Sequence, residues 1–160
     1  MAATGARVLQ LRVTLSDVTP AIWRRFLVDG AEDLAHLHDV LQAVMGWTDS
    51  HLHMFLADAG AFGVPDPDFD DDMLPEDGVR IDSLLRREGD AVRYEYDFGD
   101  GWEHEVVLEA ILDETTDQAV PRCLAGARAR PPEDVGGVPG YEDFLAASAD
   151  ADHPEHEDMV

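Results

Sequence analysis

The chain has 160 residues, of which 35 are acidic and only 11 are basic, so its formal net charge is -24. Every basic residue is an arginine, which excludes Walker-type phosphate loops, Schiff-base enzymes and protein kinases, because each of these requires a lysine. A field of this sign repels phosphate backbones and anionic membranes, so a nucleic acid is an unlikely partner and no membrane partner is expected.

The composition is typical of one folded domain spanning residues 1–160. Hydrophobic residues make up 45% of the chain, which is enough to form a core at this length. The single cysteine, Cys123, excludes an internal disulfide and a zinc site built from several thiolates. No apolar run approaches the length of a membrane-spanning helix and no secretory leader is evident, so we expect a cytoplasmic protein.

The first third of the chain predicts two strands and then the main helix. Apolar and polar residues alternate over residues 7–15, which is the period of a half-buried strand. Residues 22–28 are bulky or β-branched and predict its antiparallel partner. Asp33 is a suitable N-cap for a helix over residues 33–45, and Gly46 is suited to end that helix.

The middle of the chain predicts a strand, a loop and a short helix. Residues 51–58 return to alternation, which favours a third strand. Prolines interrupt a run of aspartates within residues 65–77, which indicates an exposed acidic loop. Apolar residues at helical spacing then predict a short helix over residues 79–87.

The clearest pattern in the chain is a β-hairpin. Residues 91–98 and 102–112 each alternate apolar with charged side chains, and the turn Asp97-Phe98-Gly99-Asp100-Gly101 separates them. Such alternation favours an antiparallel pair with one buried and one wet face. Side chains of a strand point alternately to its two faces, so His104 is expected on the apolar face.

Beyond Pro121 the pattern is irregular, up to a predicted short helix over residues 141–149 and an acidic end over residues 150–160. Taken together, the elements predict an α+β fold. Its largely antiparallel sheet is expected to be covered by one main helix and shorter helices. The order of the strands does not follow from the sequence.

Several segments resemble, in the same order, the Ri-plasmid ORF-3-like family, whose members are often labelled insertion-element passenger or TnpR-like proteins. The matching segments are residues 20–25 (PAIWRR), 37–47 (LHDVLQAVMGW), 51–53 (HLH), 94–104 (YEYDFGDGWEH), 123–137 (CLAGARARPPEDVGG) and 140–141. The resemblance implies an α+β fold and a link to mobile elements, and it implies no established reaction. A recombinase also needs a basic DNA-binding unit, which this sequence does not contain.

Three histidines are the candidate metal ligands. His51 and His53 share one face of a predicted strand, and His104 lies in the hairpin. With Asp97 or Asp100 they form a ligand set for zinc or another divalent metal, with one position left for water. In the alternative interpretation each histidine is a core or rim residue with a hydrogen-bond partner, and the two aspartates only shape the turn. No cofactor is predicted, and a divalent metal is the alternative.

A polar ligand pocket without a metal, edged by His51, His53, Trp102 and His104, is a further interpretation. Arg128 and Arg130 lie before a glycine-rich segment, residues 136–140, whose amides are suited to an anion. In the alternative interpretation this segment is a loop and helix cap, and its arginines pair with carboxylates. The full set of candidate ligand-binding residues is His51, His53, Asp97, Asp100, Trp102, His104 and Arg128.

Three functions follow from these residues. The leading hypothesis is a non-enzymatic binding or accessory protein, associated with a mobile element, that recognises an unknown protein or a small molecule. The second is a metal-dependent hydrolase using His51, His53 and His104. The third is a nucleic-acid-binding protein, disfavoured by the net charge, which requires the arginines at 24, 25, 128 and 130 to converge on one face.

Overall fold

The structure is a computed structural model, and it describes residues 7–18, 21–64, 73–98, 100–112, 120–127 and 137–138. Within these ranges the chain forms eight strands and two helices. The strands are β1 (Val8–Leu15), β2 (Trp23–Asp29), β3 (His53–Ala57), β4 (Gly60–Gly63), β5 (Leu74–Pro75), β6 (Ala91–Tyr96), β7 (Trp102–Leu112) and β8 (Arg122–Ala127). The helices are α1 (Leu34–Met45) and α2 (Ile81–Leu84).

All eight strands belong to one sheet with the order β5-β4-β3-β6-β7-β1-β2-β8. Only β4 and β5 are parallel, and the other neighbours run antiparallel. The predicted α+β class with a largely antiparallel sheet is confirmed, and each of the five predicted strands is present within two residues of its predicted ends. No helix in the described part of the chain is both long enough and apolar enough to cross a membrane.

The caps predicted for helix α1 are observed. The Asp33 side chain accepts a hydrogen bond from the backbone N–H of His36 at 2.9 Å, which satisfies one of the donors that a helix start leaves free. Gly46 ends the helix with φ 82°, a left-handed conformation that glycine adopts without a steric penalty. The apolar side chains of α1 belong to the same buried cluster as those of the strands. That this helix covers the sheet stays a prediction.

The turn of the central hairpin has the geometry that its sequence predicts. Asp97 has φ 65° and Gly101 has φ 71°, so both lie in the left-handed region that aspartate and glycine tolerate best. The Asp97 side chain accepts a hydrogen bond from the backbone N–H of Asp100 at 3.2 Å. These two aspartates therefore act at least as turn residues.

Three parts of the chain either differ from what the sequence predicted or lie, wholly or in part, outside the described residues. The irregular stretch after Pro121 contains strand β8, which pairs with β2. In the predicted acidic loop, residues 65–72 lie outside the described residues, but the rest includes strand β5 and a buried Glu76. The predicted helix 141–149 and the acidic end 150–160 also lie outside the described residues.

Two like charges face each other across the hairpin, and removing one should stabilise the fold. Glu95 on β6 is paired with Glu103 on β7. Burial, and then the charge of Glu103, raise the pKa of Glu95 above its ordinary value, so its ionisation at neutral pH destabilises the fold. We expect Glu95→Gln to raise the free energy of unfolding by about 0.5 kcal/mol at pH 7, and this gain should shrink below the pKa of Glu95.

The matched control for this substitution is Glu105→Gln on β7, the strand paired with β6. Glu105 is paired with Arg93, so this substitution removes an attraction and should destabilise slightly. Urea denaturation of the two variants at neutral and acidic pH makes the comparison. Equal effects of the two substitutions would contradict the prediction.

Candidate functional site

Two histidines and two carboxylates meet at one side of helix α1. His38 projects from α1, Asp49 lies in the loop that follows it, His53 begins β3, and Glu76 follows β5. We call these four residues the histidine cluster. Asp49 takes the left-handed φ of 54°, a conformation that aspartate adopts more readily than most residues. Four separate chain segments thus bring their polar side chains to one place.

Each histidine of the cluster is paired with one of its carboxylates. His38 Nε2 lies 2.8 Å from Asp49 Oδ1, and His53 Nε2 lies 2.6 Å from Glu76 Oε1. The two imidazole rings are stacked, with centroids 3.5 Å apart and planes at 9°. An ionised carboxylate can accept hydrogen bonds but cannot donate them. Both Nε2 atoms are therefore assigned the proton in this arrangement.

A closed ring of hydrogen bonds holds the His38 side chain in place. Its Nδ1 lies 2.7 Å from the Tyr94 hydroxyl, and the side-chain amide of Gln42 donates to that same hydroxyl at 2.8 Å. The backbone N–H of Asp49 donates to the carbonyl of the Gln42 side chain at 2.7 Å, closing the ring. Because His38 Nε2 donates to Asp49, its Nδ1 accepts the proton of the Tyr94 hydroxyl.

Burial favours the neutral forms of the His38 ring and the Tyr94 hydroxyl. Burial, and then the nearby ring of His53, lower the pKa of His38 below its ordinary value. Burial raises the pKa of Tyr94 well above the ordinary value of a phenol, so its hydroxyl stays protonated and available as a donor. A neutral imidazole is the form that binds a metal ion.

Three members of the histidine cluster have ligand atoms that converge. In the described part of the chain, His38, Asp49 and His53 each offer an atom within 4.8 Å of the other two. Two imidazoles with one carboxylate form a ligand set suited to zinc and related divalent metals. Nitrogen lone pairs lie in the ring planes, and these planes are nearly parallel, so shared coordination requires one ring to tilt.

A match to a known protein family covers nearly the whole chain. The sequence model described as "plasmid pRiA4b ORF-3-like protein" matches residues 7–160. The chain belongs to the pRiA4b ORF-3-like family. It is 40% identical over 156 residues to "Uncharacterized protein y4hQ" of Sinorhizobium fredii (strain NBRC 101917 / NGR234), covering 97% of this chain and 80% of that protein. The resemblance inferred from the quoted motifs is thereby confirmed.

A solved structure has the same fold as this ORF-3-like chain. It is the "Protein of Unknown Function MM3350 from Methanosarcina mazei Go1", which is 36% identical with a TM-score of 0.85. The alignment covers 98% of this chain and 89% of that one. The names of both relatives assign neither an enzymatic nor a binding activity.

Of the three histidines proposed from the sequence as metal ligands in this ORF-3-like chain, only His53 belongs to the converging group. His104 is fully buried. Its Nε2 accepts the indole N–H of Trp47 at 3.2 Å, and its Nδ1 donates to the backbone carbonyl of Tyr94 at 3.1 Å. Burial lowers the pKa of His104 to about 4. With both ring nitrogens engaged in the core, His104 is placed as a structural residue.

The other sequence candidates do not belong to the histidine cluster, or they lie outside the described residues. Trp102 is 1% exposed, so it packs in the core and does not line an open pocket. His51 Nε2 lies 3.5 Å from Asp97 Oδ2, which places both at the hairpin turn together with Asp100. Arg128 lies outside the described residues.

Two of the arginines required for a nucleic-acid surface in this ORF-3-like chain bind within the protein. Arg25 forms a bidentate pair with Glu109, with N–O distances of 2.7 and 3.2 Å. Arg24 donates to the backbone carbonyls of Trp23, Val44 and Ala127. Part of their donor capacity is thus used inside the fold, where Arg25 links β2 to β7 and Arg24 links β2 to α1 and β8. Residues 128 and 130 lie outside the described residues.

Sequence reasoning missed His38, Asp49 and Glu76. One signal for His38 was present, since it falls on the face of α1 that carries Leu34 and Leu41, and a polar residue on an apolar face needs a partner. Neither Asp49 nor Glu76 had such a signal. Glu76 lies in the predicted acidic loop and reaches His53 only through the pairing of β5 with β4 and of β4 with β3. Asp49 reaches His38 because the loop after α1 folds back on the helix, where the backbone N–H of Asp49 bonds to Gln42.

Proposed function

We propose that the protein is a non-enzymatic binding protein that holds a divalent transition metal ion in the histidine cluster. The observation that supports this proposal is the convergence of ligand atoms from His38, Asp49 and His53 within 4.8 Å. Histidine nitrogen and carboxylate oxygen together favour zinc, cobalt or nickel over magnesium and calcium, which prefer oxygen ligands only.

The residues around the ligands also support the proposal. Histidine ligands in metal sites usually donate their second ring N–H to a carboxylate, a carbonyl or another polar group. Glu76 supplies such a partner to His53, and Tyr94 supplies one to His38. With metal at Nε2 of His38, the proton would reside on Nδ1, where the Tyr94 oxygen can accept it.

The accessory role predicted from the sequence is part of this proposal. The support for placing it on a mobile element is the plasmid open reading frame in the family description. The hydrolase hypothesis loses its ligand set, because the two ring nitrogens of His104 bind Trp47 and Tyr94 in the core. A nucleic-acid role is weakened by the pairing of Arg25 with Glu109.

Titration calorimetry of the purified chain with zinc tests the proposal. Excess magnesium should be present to saturate the many surface carboxylates, which bind cations weakly. We expect one zinc ion per chain. Asp49→Asn should lower the affinity roughly 100-fold, because an amide oxygen is a much weaker ligand than a carboxylate and second-sphere changes alone cost 10- to 100-fold.

The matched control for this experiment is Asp39→Asn. Asp39 is an exposed residue of helix α1, and its substitution removes the same charge without touching the histidine cluster. We expect it to leave zinc affinity unchanged. Zinc binding that is absent, or that falls equally in both variants, would refute a site at these residues.

A further inference from the structure

We infer that the metal centre keeps one coordination position open, and that this position accepts a small external donor, either water or a monoanion. The inference rests on the proposed metal binding and goes beyond it, because it names a second ligand class for the same site. Structural zinc sites are closed by four protein ligands, whereas sites with three protein ligands bind an exchangeable fourth ligand.

The first step concerns the supply of donors around the three ligands. Glu76 is held by His53 at 2.6 Å, and Gln42 uses its amide group on Tyr94 and its carbonyl group on the N–H of Asp49. The nearby polar side chains of the described residues thus orient the ligands and already have hydrogen-bond partners. A fourth ligand therefore comes most readily from outside this network.

The second step concerns access. The side chains of His38, His53 and Glu76 are only 6%, 10% and 6% exposed, but that of Asp49 is 56% exposed. The site is therefore closed on the side of the core and open on the side of Asp49. An external donor reaches the metal from that side without displacing a buried residue.

The third step concerns charge. Two neutral imidazoles and one carboxylate leave a divalent ion with one net positive charge, which favours a monoanion over a neutral donor. The carboxylate of Glu76, which is bonded to His53, and the chain's net charge of -24 both oppose a more highly charged anion. Together these charges select a small monoanion, with water in its absence.

Cobalt(II) reports the binding of an external ligand directly, because its visible absorption depends on the identity and the number of its ligands. The chain is loaded with cobalt, the spectrum is recorded, and sodium azide is added as the probe monoanion. We expect a saturable change of the visible bands at constant bound cobalt. Zinc should remove the bands altogether by displacing the cobalt from the same site.

The outcomes separate this inference from the proposed function. Bound cobalt with a spectrum that azide leaves unchanged, or azide that strips the metal, would overturn the open position while metal binding stands. If azide changes the spectrum only after Glu76→Gln, Glu76 is the fourth ligand and the inference also fails. A chain that binds neither cobalt nor zinc would overturn both.

Discussion

Replacing His104 by glutamine should abolish a change of about 3 kcal/mol in the free energy of unfolding, which the wild-type chain undergoes between pH 6.5 and pH 4. Burial lowers the pKa of this imidazole from 6.5 to about 4, so in this range the unfolded chain binds a proton that the folded chain does not. The free energy of unfolding of the wild-type chain therefore falls as the pH falls through this window. Above pH 6.5 the contribution of His104 is fully present.

The measurement is urea denaturation at several pH values, compared as the difference between wild type and variant. At pH 7.5 we expect His104→Gln to be less stable by roughly 1–3 kcal/mol, because the backbone carbonyl of Tyr94 loses its buried donor. This deficit should disappear or reverse by pH 4. Comparing the two chains at each pH cancels the titration of the many carboxylates they share.

His104→Leu serves as a second variant for the same prediction. It removes both hydrogen bonds of the ring, including the one from Trp47, and should be the less stable variant at neutral pH. Its dependence on pH should nevertheless match that of His104→Gln, since neither side chain titrates. Different pH dependences in the two variants would show that the proton binds elsewhere.

Replacing His53 by glutamine should lower zinc affinity roughly 100-fold or more, because a ligand nitrogen is lost while a donor to Glu76 is retained. Zinc at about 100 times its dissociation constant should stabilise the wild-type chain by about 2.7 kcal/mol. The variant should gain almost none of this stability. Thermal unfolding with and without zinc measures the effect, and calorimetry gives the affinity itself.

The control for this prediction is His36→Gln, in the same helix as His38. His36 is half-buried, and its backbone N–H bonds to Asp33. It is not one of the converging ligand residues, so this variant should bind zinc and gain stability as the wild type does. Glu76→Gln should fall between the two, with an affinity lowered about 10-fold, because it only weakens the orientation of His53. A ranking in which His36→Gln loses the most would rule out the histidine cluster.

The elements that the sequence predicted well are those whose structure is determined by residues close together in the sequence. Alternation over the hairpin, the cap at Asp33 and the stop at Gly46 act within a few residues, so each is visible in the sequence. The burial of His104 followed from the same alternation. Strand β8 was missed because five of its six residues are exposed, so it shows no alternation, and only its pairing with β2 makes it a strand.

The candidate site was predicted in part. His53 was proposed as a ligand because of its position on one face of a strand; it belongs to the converging group and remains a proposed ligand. Its partners were not found because they depend on distant pairing. The order β4-β3-β6 in the sheet brings Tyr94 beside His53, and the parallel pairing of β5 with β4 brings Glu76 there. Strand order is a property of the whole chain and has no signature in a short motif.

The hydrogen bond between His38 and Tyr94 spans 56 positions of sequence, and this distance has a consequence for the order of events in folding. Contacts between distant segments close long loops, so they form late and are largely absent from the transition state when the local hairpin forms first. A ligand that binds only the completed histidine cluster then acts on the folded side of the barrier. It slows unfolding and leaves the folding rate nearly unchanged, so the bound ion would lengthen the lifetime of the folded chain.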